Sequence, residues 1–143
     1  MVFILKNLAL GSMADAEFTA REISAFLNVA EEVDFTPPAG ALYYKVPIKD
    51  FCPIPAEQLK EAVDWIKEHI RAHKVLVFCK AGIGRSSSVA IAYLCREKGM
   101  GFGRAVEFVG RKKPDISILP NLILSVDAII QRKTRYRLLP GVW

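Results

Sequence analysis

The apolar residues divide the chain into a strand-rich first third and a helix-rich remainder. Short runs of strand formers at Val2 to Leu5, Leu8 to Leu10, Ala25 to Val29 and Ala41 to Val46 are each bounded by polar or turn residues, the pattern of β-strands. The apolar start, Met1 to Leu10, is interrupted by Lys6 and Asn7, is too short to cross a bilayer and lacks a basic leader. It reads as strand. Pro37-Pro38-Ala39-Gly40 is the strongest break in this half and reads as a turn inside the domain.

From Ala56 to His73 the spacing becomes helical, with Leu59, Val63, Ile66 and Ile70 on one face and Lys60, Glu61, Lys67 and Glu68 elsewhere. Val75-Leu76-Val77-Phe78 is a continuous apolar run, as expected of a strand buried on both faces of an α/β sheet, and Cys79 lies directly at its end. Ser87 to Lys98 reads as a helix that packs through Ile91, Leu94 and Cys95 and stops at Gly99. Further helices are predicted over Arg104 to Lys112 and from Pro120 to about Arg132, the latter with proline near its first turn. The predicted class is α/β.

Composition narrows this picture. The 143 residues are 52% hydrophobic and 24% charged, with no repeat or low-complexity linker, which predicts one domain over 1–143 and excludes a disordered chain. The formal charge of +5 favours anionic partners but does not choose among phosphoproteins, phosphosugars, lipids and nucleic acid. Much of the excess sits in Arg111-Lys112-Lys113 and in the run from Arg132 to Arg137, either a patch for an acidic partner or a solvated helix end and tail. Three cysteines, Cys52, Cys79 and Cys95, cannot all pair within one chain and match no zinc spacing. A reducing, cytosolic compartment is expected.

The loop Cys79-Lys80-Ala81-Gly82-Ile83-Gly84-Arg85-Ser86 carries the candidate chemistry. A strand that runs through a tight loop into a helix aims backbone N–H groups and the positive end of the helix dipole at one point, where an anion binds. Gly82 and Gly84 allow sharp turning and close approach. The Lys-Ser/Thr ending of an ATP-binding loop is absent. Amides that bind phosphate also stabilise a thiolate, and the planar fork of Arg85 suits two phosphate oxygens. Ser86 can donate a hydrogen bond to sulfur when the thiolate leaves.

That string resembles the signature His-Cys-x5-Arg-Ser/Thr of the small dual-specificity branch of the protein tyrosine phosphatases, at every position after the first. Leu10-Gly11-Ser12 and Leu27-Asn28-Val29-Ala30 look like the family's early strands, Val46-Pro47-Ile48-Lys49-Asp50 like the segment with its general acid, and Pro120-Asn121 like the start of its last helix. The resemblance implies a central sheet of four to five strands flanked by helices. It also implies phosphomonoester hydrolysis through a cysteinyl-phosphate, without metal or organic cofactor. Cys79 is then the nucleophile and Asp50 the acid and base, with Arg85 and Ser86 assisting. Lys80, Ala81, Gly82, Ile83, Gly84 and Arg85 are then the phosphate cradle.

Phe78 departs from the pattern, since a phenyl ring makes none of the hydrogen bonds of the family's histidine. Weaker thiolate tuning with activity retained is expected. Cys52, two residues beyond Asp50, is either a rim or core thiol or the partner of Cys79 in a reversible disulfide. Phe51 and Ile83 read as an apolar rim for an aryl group, or as core. The expected partner is a phosphorylated protein or another phosphomonoester, with no specific nucleic acid, no membrane span and no oligomeric state legible. The alternatives are a phosphate-binding module that has lost turnover, motivated by Phe78, and a sulfurtransferase or arsenate reductase.

Overall fold

The computed structural model describes the backbone of residues 1–18 and 20–138, and side chains as far as Ile130 apart from position 19. A five-stranded sheet runs in the order β1-β2-β5-β3-β4, with β1 at Val2–Leu5, β2 at Leu8–Ser12, β3 at Ala25–Asn28, β4 at Leu42–Lys45 and β5 at Val75–Cys79. Only β1 is antiparallel to its neighbour; β2, β5, β3 and β4 are parallel. The sheet and its flanking helices match the expected class.

The central strand explains its own sequence. All five residues of β5 are buried, because it pairs with β2 on one side and β3 on the other. Fully burying each such aliphatic side chain contributes roughly 1.5–3 kcal/mol. The register sets Cys79 opposite Ser12 and Phe78 opposite Asn28. Three parallel strands therefore end together, and the crevice beyond the carboxyl ends of such strands is where open α/β sheets bind ligands.

Helices α2 (Ala56–His69), α3 (Arg85–Glu97), α4 (Phe102–Lys112) and α5 (Leu122–Leu138) follow the predicted order. Helix α3 packs against α2, α4, α5 and β5 and is buried from Arg85 through Cys95, as a helix enclosed on all sides must be. It starts two residues earlier than its spacing suggested, so Arg85 and Ser86 belong to its first turn. Helix α5 starts two residues later than predicted, after Asn121 takes a left-handed φ of 54°. The Pro37–Gly40 break is a turn, with Ala41 N–H donating to the Pro38 carbonyl and Gly40 at φ 85°.

Helix α1 (Met13–Phe18) was not predicted. Its start is a reciprocal cap: Ser12 N–H donates to Asp15 Oδ2 at 2.9 Å and Asp15 N–H to Ser12 Oγ at 3.1 Å, the capping-box arrangement of Ser-x-x-Asp. The basic run at the end of α4 does not form one open patch. Arg111 pairs with Glu107, Lys112 lies over the Phe108 ring, and Lys113 is buried against Asp115 at 2.7 Å. The second basic run, Arg132 to Arg137, lies outside the residues whose side chains are described. No helix among the described residues is long and apolar enough to cross a membrane.

Candidate active site

The loop from Cys79 to Arg85 closes over the end of β2. Gly82 has φ 74°, and a Cβ there would stand 2.8 Å from the Gly11 carbonyl carbon and 2.9 Å from Ser12 N, distances that real Cβ atoms do not reach. Glycine is therefore required twice at this position, by conformation and by space. Met13 N–H donates to the Lys80 carbonyl, fastening the loop to α1. Gly84 differs from the expectation: its Cβ would meet Leu119, Asp50 and Ser117 only at ordinary contact distances. It begins α3 without a side-chain cap, leaving the first amides of the helix to an anion.

Cys79 is 2% exposed, and its Sγ stands 3.4 Å from Ser86 Oγ, in hydrogen-bond contact. Cys79, Asp50, Phe51, Ala81, Ile83, Gly84 and Arg85 line one cavity of about 340 Å³, closed on its far side by residues 117–120. That far wall is held in place, since Leu119 N–H donates to Ser88 Oγ and Ser117 N–H to the Ile83 carbonyl. Asp50 Oδ2 lies 3.6 Å from Arg85 Nη2, and Asp50 Oδ1 accepts from Phe51 N–H. Two residues of the expected cradle are not among those lining the cavity: Lys80 is exposed, and a Cβ on Gly82 would face β2.

Arg85 is 1% exposed, and a buried guanidinium needs a carboxylate. Sequence reasoning missed that partner, Glu32, whose two oxygens receive Arg85 Nη1 at 2.5 Å and Nη2 at 2.7 Å. This fork-to-fork pairing pulls the Glu32 pKa down to about 2. Arg85 Nη1 also donates to the Ile48 carbonyl at 3.1 Å, whereas Nε is buried without a hydrogen-bond partner among the described residues. The guanidinium is thus gripped through Nη1 and Nη2, and Nε is left without a protein partner among the described residues.

Asn28, at the end of β3, shapes the segment that carries Glu32. Its Nδ2 donates to the Val33 carbonyl at 2.8 Å and to Tyr43 Oη at 3.1 Å, and its Oδ1 accepts from Ala30 N–H at 3.0 Å. The sequence held only part of a signal for Glu32: the acidic pair Glu31-Glu32 follows a strand, and it is the pairing of that strand with β5 that brings the pair to the crevice. Phe78 is buried completely, its ring edge-on to Phe35 with centroids 4.9 Å apart. Phe35 in turn meets Phe26 and Tyr43. Truncating such a ring to alanine typically costs about 3–5 kcal/mol. Packing, in place of histidine's hydrogen bonds, fixes the strand end before Cys79.

The three cysteines are free. Cys52 is exposed and is not among the residues lining the cavity around Cys79, while burial, with the Asp127 charge second, pushes the Cys95 thiol up to about 11.

Residues 8–129 match the family described as "Dual specificity phosphatase, catalytic domain". The chain belongs to the dual specificity phosphatases. Human dual specificity protein phosphatase 16 is 35% identical over 123 residues, covering 80% of the chain and 18% of that protein. Human dual specificity protein phosphatase 9 is 36% identical over 124 residues, covering 81% of the chain and 32% of that protein. The chain therefore spans between about a fifth and a third of these relatives' length. Among solved structures, human DUSP28 superposes with a TM-score of 0.82 over 95% of the chain and 99% of its own, at 21% identity, a likeness of fold. Tk-PTP in its active form gives a TM-score of 0.76 at 26% identity, covering 91% and 95% of the two chains. This dual specificity phosphatase domain thus joins a fold common to those structures with a buried Cys79 and a Glu32-held Arg85.

Proposed function

We propose that the chain hydrolyses phosphomonoesters, phosphoproteins foremost, through a cysteinyl-phosphate. The observation that carries this reading is the convergence of Cys79, Asp50 and Arg85 on one cavity at the start of α3. The Cys79 thiolate attacks phosphorus, forming the S–P bond as the P–O ester bond breaks and Asp50 passes its proton to the departing oxygen. Water then attacks the phosphorus, giving a proton to Asp50 as the S–P bond breaks. Arg85 Nε and the loop amides follow the charge on the equatorial oxygens, and Ser86 stabilises the sulfur each time it carries charge. The chemistry needs a reduced thiol, which a cytosolic setting supplies.

The test is turnover of an aryl phosphate, with and without chelator, by the parent, Cys79→Ser and Asp50→Asn. Cys79→Ser is expected to abolish turnover, and Asp50→Asn to lower it by about 10²–10⁴, the usual worth of a general acid. Turnover that survives Cys79→Ser would refute the mechanism. A parent that binds phosphate without turnover would favour the phosphate-binding module.

A further inference from the structure

A groove of about 590 Å³ runs beside α4, at the end of α3 away from the Cys79 loop. Lys98 ends α3, whose 13 residues rise about 20 Å from Arg85, and no residue lining the groove lines the cavity around Cys79. Four cations, Lys98, Arg104, Arg111 and Lys112, face one carboxylate there, Glu107. Met100 and Phe108, both partly buried against the core, supply the apolar part. Arg104, Phe108 and Arg111 recur at the spacing of one helical face, while α4 turns Ala105 and Val109 to the core.

The positive charge of the groove is only partly compensated. Arg111 pairs with Glu107, and Lys112 lies over the Phe108 ring. Lys98 and Arg104 are exposed and form no ion pair among the described residues; Glu97, next to Lys98, is held by Lys67 and Arg96. Arg104 is also misplaced for its own helix. It stands in the first turn of α4, which holds no acidic residue, and the helix dipole disfavours a cation there. Unpaired like charges repel, and a bound anion relieves them. Helix α4 has 11 residues and is about 16 Å long, room for about five residues of extended peptide. A peptide with carboxylates at both ends of that span meets Lys98 and Arg104 at one end and Arg111 and Lys112 at the other, with an apolar side chain on Phe108 between them. A flat bilayer surface does not reach into a groove, and a nucleic acid backbone brings no aliphatic group to Phe108. We propose that this groove docks an acidic peptide segment of a partner protein. Docking there does not require turnover at Cys79.

Fluorescence anisotropy on the full chain tests this with the labelled peptide Asp-Glu-Leu-Asp-Glu and its uncharged counterpart Asn-Gln-Leu-Asn-Gln. The acidic peptide is expected to bind about tenfold more tightly or better, and the difference should shrink as ionic strength rises from about 0.05 to about 0.5 M. Lys98→Glu and Arg104→Glu should each weaken its binding by about fivefold or more. Lys60→Glu, a charge reversal on α2 outside the groove, should leave it within about twofold. Glu107→Gln removes the one carboxylate of the groove and releases Arg111, so it should tighten binding about twofold or more, a gain that damage to the fold does not produce. Aryl phosphate turnover should stay within about twofold in all four variants. Equal affinity for the two peptides, or weaker binding by Glu107→Gln, would overturn the proposal. So would phosphatidylserine vesicles or oligouridine that bind the parent more tightly than the peptide and lose that binding in Arg104→Glu, which would assign the groove to a membrane or to RNA. A parent that turns over no aryl phosphate counts against the phosphatase reading alone, since the anisotropy still decides the groove.

Discussion

Arg85 and Glu32 make the residue-scale argument. Glu32 touches neither Cys79 nor Asp50 in the contacts described, yet it fixes the edge of the guanidinium that would otherwise swing. Glu32→Gln keeps the shape and removes the charge, and it is expected to raise KM for phosphate esters more than it lowers kcat. Its side chain is 45% exposed, so solvent screening should hold the loss of stability near about 1–2 kcal/mol rather than the 3–5 kcal/mol of breaking a fully buried pair. The pH sense follows from a carboxylate whose folded pKa of about 2 lies below its ordinary 4.5. Its stabilisation is complete above about pH 4.5 and is lost as pH falls toward 2. Denaturant melts of parent and Glu32→Gln should therefore differ at pH 7 and converge near pH 2.

At the scale of elements, the loop from Cys79 to Arg85, β2 and α1 form one unit. The capping box at Ser12 and Asp15, the Met13–Lys80 backbone bond and the Gly11–Gly82 contact join them. Two alanine substitutions separate the loop's glycines. Gly82→Ala, which drives a Cβ into the backbone of β2, is expected to lower stability by several kcal/mol and abolish turnover. Gly84→Ala, with ordinary contacts and no left-handed φ, should change stability by about 1 kcal/mol or less. Thermal melts and aryl phosphate assays on both variants check this. The sequence made β5 legible, because an unbroken apolar run before a glycine loop has few other readings. Helix α1 was not legible from periodicity, since six residues span under two turns, although Ser12-x-x-Asp15 marked its start. Glu32 escaped because its role depends on β3 lying beside β5, a pairing that local spacing does not encode. Phe78 looked like a lost hydrogen bond in sequence and is a packed aromatic in the fold.

Across the whole molecule, α3 is the spine on which sheet and helices meet, and Cys95 lies buried near its end. Its thiol, held near 11 chiefly by burial, should resist alkylation at pH 7.5 while exposed Cys52 reacts. Peptide mapping is expected to find Cys95 labelled only in denaturant, at the concentration that melts the domain; labelling under native conditions would show that α3 opens locally. The fold class, the order of α2 to α5 and the place of Cys79 at the end of a buried strand were legible beforehand, because each follows from local pattern. The wall at 117–120 and the carboxylate grip on Arg85 were not, because both come from segments brought together only by the tertiary fold.

The parallel pairing of β2 with β5 joins residues more than sixty positions apart, and the cavity further draws on Asp50 and on residues 117–120. No contiguous stretch of the chain contains the site. During synthesis, the cavity therefore stays incomplete until the segment around Leu119 has emerged and docked. Closing contacts so distant in sequence is slow, and a chain that lacks residues 117–120 lacks one wall of the cavity.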